Sequence, residues 1–232
     1  MKQITNDKLI TRNKKIGNIT SILGIAILIG GLILNINPDP TRTILSLGAL
    51  IVGFVIAQIS TFFVTRFGRS PRFDEIIASN LSKLNNEYTF FVYTSPVPML
   101  LTSPHGIWIP VPVSVGGEIY YDGKWRQKGG NVMLKIFGQE NLSKPEKDVA
   151  AREAQIRKFL EDNLGMDSIP PINNVLVSLH PKAIIGNVED APTPIVEVEA
   201  LRRTIRKVDR KREEEISPEL LNKINDLFNS EK

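Results

Sequence analysis

Residues 16–65 read IGNITSILGIAILIGGLILNINPDPTRTILSLGALIVGFVIAQISTFFVT. Two stretches in them, Ile16–Pro38 and Thr43–Thr65, contain no charged side chain. At about 1.5 Å of rise per helical residue, each is long enough to cross a hydrocarbon layer roughly 30 Å thick. Helices of this length in water-soluble proteins carry a charged face, and neither stretch has one. The apolar side chains are densest at 19–36 and 44–64. Between these, Asn35-Ile36-Asn37-Pro38-Asp39-Pro40 is a turn signal with no small-x-small cleavage site, so a transmembrane helical hairpin over 16–65 is expected rather than a signal peptide.

The charges that flank the hairpin predict its orientation. Lys2, Lys8, Arg12, Lys14 and Lys15 precede it against a single Asp7, and Arg66, Arg69 and Arg72 follow it. The connecting turn balances Arg42 with Asp39. Cations concentrate on the cytoplasmic side of short-looped spans, which places both termini and everything after residue 72 in the cytoplasm. Ala49, Gly53 and Ala57 give the second span a small face, and Ala26 and Gly30 give the first another. Such faces pack helices closely in lipid, either within the hairpin or between two copies in a homodimer.

Composition narrows the chemistry. With no cysteine, the chain has no disulfide, thiolate zinc site, iron–sulfur cluster or cysteine nucleophile. Its two histidines, His105 and His180, lie far apart in sequence and do not suggest a histidine-rich metal centre. At 42% hydrophobic the chain is too apolar to be disordered.

After residue 72 the periodicities change. Phe73, Ile76, Ile77, Leu81 and Leu84 form a helical stripe. Short strands are expected at Thr89–Tyr93, Met99–Thr102, Ile107–Val113 and Glu118–Tyr121, with Lys124–Gln127 completing a hairpin across Asp122-Gly123. A helix follows at Pro145–Leu164, then strands at Asn174–Leu179 and Ile195–Val198 and a stripe of Val198, Leu201, Ile205 and Val208. A last helix, 217–228, opens on Ser217 and Pro218. The organisation is a basic tail at 1–15, the hairpin at 16–65, a basic linker at 66–72, a soluble domain at 73–208 and a charged segment at 209–232.

Several strings in this domain resemble the nuclease-related domain (NERD) family, of restriction-endonuclease-like fold. They are the opening helix with Glu75, Leu100-Leu101-Thr102-Ser103-Pro104-His105-Gly106-Ile107-Trp108-Ile109, Gly117-Glu118-Ile119, Val175-Leu176-Val177-Ser178-Leu179-His180-Pro181 and Ala191-Pro192-Thr193-Pro194. The resemblance spans about 73–208 and implies an α+β class with an αβββαβ core, preceded here by the transmembrane hairpin. In active members an aspartate on the second strand and a glutamate two residues before a lysine on the third surround a divalent cation. Residues i and i+2 share a strand face, which is why that spacing is needed. Aligned on Pro104-His105-Gly106, the three positions hold Pro98, Val111 and Val113, and no shift by one residue restores a ligand. Pro110 and Pro112 also remove two N–H donors from one side of the third strand.

The expected function is that of a membrane-anchored, catalytically inactive NERD-like protein that interacts or scaffolds at the inner face of a prokaryotic plasma membrane, with a protein partner of unknown identity and no cofactor. The alternative is a tethered metal-dependent nuclease with a relocated Mg²⁺ site drawn from Glu75, Glu118 and Asp122. A channel or transporter subunit is a third class, for which two spans without an intramembrane charge offer no ion path. Nucleic acid is disfavoured as a partner because residues 73–201 carry 11 Lys and Arg against 16 Asp and Glu. The cations Arg66, Arg69, Arg72, Arg202, Arg203 and Arg206 are candidate contacts to anionic lipid, while the run from Arg202 to Arg212 also reads as a solvated face partly paired with Asp209 and Glu213–Glu215. One of Trp108 and Trp125 is expected in the core.

Overall fold

The computed structural model describes residues 1–37, 39–130, 142, 144–166, 169–212 and 214–230. The chain divides into two compact units. Unit 2 is Asp7–Arg72, and unit 1 combines Met1–Asn6 with Phe73–Lys232.

Unit 2 is the helical hairpin. Helix α1 runs Asp7–Leu34 and α2 Pro40–Phe63, continued by one π-helical turn at Val64–Gly68. Both α1 and α2 are long and apolar enough to cross a membrane. Their aliphatic side chains are left uncovered by the protein: Ile22 and Ile44 are each 71% exposed and Ile51 is 67%. Asp39 caps α2, its Oδ1 accepting from the Arg42 N–H at 2.9 Å, and its Oδ2 lies 3.0 Å from the Arg42 guanidinium.

The helices touch along residues spaced seven apart, all of them small except Ile10. Ile10, Gly17, Gly24 and Gly31 are buried on α1, opposite Ser46, Gly53 and Ser60 on α2. At the two ends, Ser46 donates to the Gly31 carbonyl at 2.7 Å and Ser60 to the Gly17 carbonyl at 3.1 Å. Hydroxyls that bond across helices are a form of glue in lipid, and a seven-residue repeat keeps both seams in register. The small face of α2 is therefore turned on its own partner helix: a Cβ on Gly31 would stand 3.0 Å from that of Ala49, and one on Gly24 3.5 Å from the Ala57 nitrogen. On α1 the expected Ala26–Gly30 face points away, and a Cβ on Gly30 would meet nothing within 4 Å. In the chain as folded, the Ala49–Gly53–Ala57 face is occupied by α1.

Unit 1 is a mixed α+β structure. After α3 (Phe73–Leu81) come β2 (Thr89–Val92), β3 (Met99–Ser103), β4 (Gly106–Val113), β5 (Gly117–Tyr121) and β6 (Trp125–Lys128). Then follow α4 (Pro145–Leu164), β7 (Ile172–Ser178), β8 (Ala183–Ile185), β9 (Ile195–Glu197), α5 (Val198–Asp209) and α6 (Pro218–Ser230). The expected elements are present with strand ends shifted by one or two residues, and β8 is a strand that the sequence pattern did not predict. Residues 1–15, read above as a basic tail, differ more. Lys2–Thr5 forms a strand, β1, and α1 begins at Asp7 within the charged segment. Ile4 draws β1 in, buried in the same cluster as Phe91 and Phe228.

The main sheet has the order β1-β2-β3-β4-β7-β9, and a smaller one the order β6-β5-β8. β2, β3 and β4 form an antiparallel meander; β1 joins β2, β7 joins β4 and β9 joins β7 in parallel. One face carries Ile107, Ile109, Val111, Val113 and Leu176 against Val149, Ile156 and Leu160 of α4 and Ile224 and Phe228 of α6. Phe228 lies 5.5 Å from Phe91, edge to face, and 5.6 Å from Phe159, stacked. The tight β3–β4 connection requires Gly106, whose φ of +150° brings the backbone so close that a Cβ would lie 2.6 Å from the Pro171 carbonyl oxygen.

Gly31→Leu should force the hairpin helices apart and cost about 1–3 kcal/mol through overpacking. Gly30→Leu, facing open space, should be close to neutral. Denaturation of the full chain in detergent, followed by circular dichroism, measures both, and equal effects would show that the seven-residue seam is not the contact.

Candidate functional site

The positions aligned with nuclease ligands fall where β3 begins and β4 ends. Val111 and Val113, 3% and 7% exposed, lie in the core cluster under α4. Pro98 immediately precedes β3. β4 pairs with β7 over its length from Ile107 to Val113, but with β3 only from Gly106 to Trp108. Its odd-numbered residues face β7: Ile107 N–H donates to the Pro171 carbonyl and the Val113 carbonyl accepts from Leu179, both at 2.9 Å. Pro110 and Pro112 thus face β3, and the ladder on that side ends where the prolines begin. A strand that lacks donors along one side can only be hydrogen-bonded on the other.

The acidic candidates lie apart. Glu75 is exposed in the first turn of α3, beside Asp74, which is buried. Glu118 is on β5 of the smaller sheet, where its carboxylate would contact any Cβ at Gly186. Asp122, in the β5–β6 turn, is exposed and 3.7 Å from the Arg126 guanidinium. Among the described residues, no three His, Asp or Glu side chains come together as a metal-binding group. Both indoles are buried, Trp108 at 2% and Trp125 at 7%, so the expectation of one in the core becomes two.

A different carboxylate proves central. Asp209, at the last turn of α5, is 2% exposed. Its Oδ2 accepts from the Tyr88 hydroxyl at 2.9 Å and its Oδ1 from the Trp108 indole N–H at 3.0 Å. A buried carboxylate is tolerable only with donors of this kind. Burial and the neighbouring Asp209 push the Tyr88 phenol well above its ordinary range. The sequence pattern pairs Asp209 with the arginine run; the fold instead turns it inward, because α5 presents Asp209 on the same stripe as Leu201 and Ile205. Glu213 lies outside the described residues. Arg212 also leaves the basic run: its guanidinium donates to the His105 carbonyl at 2.9 Å and to Asn173 Oδ1 at 2.8 Å, holding the β3–β4 hairpin to β7.

What remains exposed on and just beyond α5 is Arg203, Arg206, Lys207, Arg210 and Lys211. Arg206 and Arg210 border a recess of about 400 Å³ whose floor is Tyr88 and Asp209 and whose rim includes Lys83 and His105. Of the expected lipid-facing cations in unit 2, Arg66 sits 4.2 Å above the Phe62 ring, and Arg69 donates to the Pro71 carbonyl at 3.1 Å. No family model, curated protein or solved structure matches the chain.

Two outcomes follow. Val111→Glu places a carboxylate in a dry core and should destabilise unit 1 by about 3 kcal/mol or more in denaturant melts of the full chain; a solvated, metal-holding cradle would accept it. Tyr88→Phe removes a phenol that resists ionisation only when folded. Folded-state stability should therefore fall as pH rises above about 10 in the wild type, and fall less steeply in the variant. Matched melts across that range check the difference.

Proposed function

We propose that the chain is a membrane-anchored, catalytically inactive relative of the NERD nucleases that acts as an interaction or scaffolding protein at the cytoplasmic face of a prokaryotic plasma membrane. The observation that carries this reading is the fate of the three aligned positions: Pro98 and two buried valines, Val111 and Val113, stand where metal ligands and a lysine would be required. A hydrated divalent cation needs oxygen ligands, and branched hydrocarbon supplies none. The succession α3, β2–β3–β4, α4, β7 supports the family's αβββαβ core, with the smaller sheet as an addition.

The register of β1 supports the topology. Lys2–Thr5 pairs residue for residue with Thr89–Val92, so the segment before the hairpin and the sheet after it belong to one folded body. One folded body lies on one side of a bilayer, and a two-span hairpin is what returns the chain to it. The cationic flanks then assign that side to the cytoplasm. The partner is a protein, recognised by the surface of unit 1, with anionic lipid as a further contact of the exposed arginines.

The purified full-length protein should cleave neither DNA nor RNA with Mg²⁺ or Mn²⁺; metal-dependent cleavage abolished by replacing Glu75, Glu118 or Asp122 would overturn the reading. Because the chain has no cysteine, single replacements report topology directly. A membrane-impermeant maleimide on intact cells should label Asn37→Cys and leave Gln3→Cys and Lys207→Cys unlabelled until the membrane is opened. Crosslinking in native membranes then identifies the partner.

A further inference from the structure

The recess beside α5 has an unequal distribution of partners. Its carboxylates are engaged. Asp209 holds the Tyr88 and Trp108 donors on its two oxygens, Glu87 accepts from the Asn85 amide at 2.5 Å, and Glu215 reaches the His105 ring at 3.9 Å. Among the described residues, Lys83, Arg206 and Arg210 form no ion pair and no side-chain hydrogen bond, although the charge of Arg206 acts on the Tyr88 hydroxyl. Arg206 and Arg210 are one helical turn apart and so share a face, while Lys83 comes from the turn after α3, a separate segment. Two guanidinium forks and an ammonium, converging from two segments on one concavity, offer several N–H donors and no acceptor of their own.

We propose that this recess is a binding site for a phosphate group, in which Arg206 and Arg210 supply bidentate donors and Lys83 a point charge. A phosphate monoester has three terminal oxygens, one for each of the three cations, whereas a carboxylate has two. The volume of about 400 Å³ admits a phosphate with a small attached group. Asp209 turns both its oxygens onto the buried Tyr88 and Trp108 donors, which leaves the guanidinium and ammonium groups of the recess to an incoming oxyanion. The shared chemistry fits either a lipid headgroup that exposes a phosphate monoester or a soluble phosphate compound. The proposal stands independently of whether the β4 site has lost its chemistry.

The test uses the full-length chain. Inorganic pyrophosphate is titrated calorimetrically into protein in phosphatidylcholine nanodiscs, and phosphatidic acid is compared with phosphatidylcholine for retention by native mass spectrometry. Saturable binding is expected in at least one arm, and the arm that responds identifies the source. Arg206→Gln with Arg210→Gln should weaken it by about tenfold or more. Arg203→Gln with Lys207→Gln removes the same charge from the same helix away from the recess and should change it by less than about twofold. Arg206→Lys with Arg210→Lys should restore part of the loss, and Lys83→Gln, outside α5, should weaken the same binding with no effect on that helix. Absence of saturable binding in both arms, or equal losses in the two α5 pairs, would overturn the site and leave the scaffolding reading untouched.

Discussion

Over the second half of β4, backbone hydrogen bonds run to one side only, and much of unit 1 is arranged around that constraint. Residues facing β7 keep their N–H groups and build a continuous parallel ladder. Residues facing β3 include Pro110 and Pro112, and pairing there stops at Trp108. Backbone that a sheet cannot pair must be covered or solvated. Here the intervening residues, Ile109, Val111 and Val113, turn their side chains onto α4 and α6 and make the region apolar. Val111 and Val113 thereby lend packing to the core, which holds the strand in place.

The hairpin obeys a second form of the same rule. In hydrocarbon each helix satisfies its own amides, and association has to come from close packing and a few side-chain bonds. Gly17, Gly24 and Gly31 let α2 approach, and Ser46 and Ser60 use the approach to reach carbonyls of α1. The chain connects the two units at both ends of the hairpin, leaving unit 1 at Asn6 and re-entering it at Phe73.

Burial also explains the divided behaviour of the basic run. Positions on the Leu201–Ile205–Asp209 stripe face inward, and a carboxylate there survives because Tyr88 and Trp108 supply donors from two other elements. Arg212, just beyond, is drawn into the β3–β4 hairpin. The remaining cations stay outside, where a recess collects two of them with Lys83.

The sequence by itself determined the helical hairpin, since absence of charge over two long stretches has one stable outcome, and it determined the types of the later elements, since helical and strand periodicities are local. That the side chains of Pro98, Val111 and Val113 can offer a cation no ligand was equally legible, because it depends on residue identity alone. Tertiary structure decided what depends on partners distant in the chain. Lys2–Thr5 is a strand only because β2 offers an edge, the hairpin seam follows a seven-residue repeat that begins at Ile10 inside the charged segment, and Asp209 is buried only because residues more than a hundred positions away donate to it. A single chain encodes those pairings in the energy of the whole fold, so no local pattern displays them.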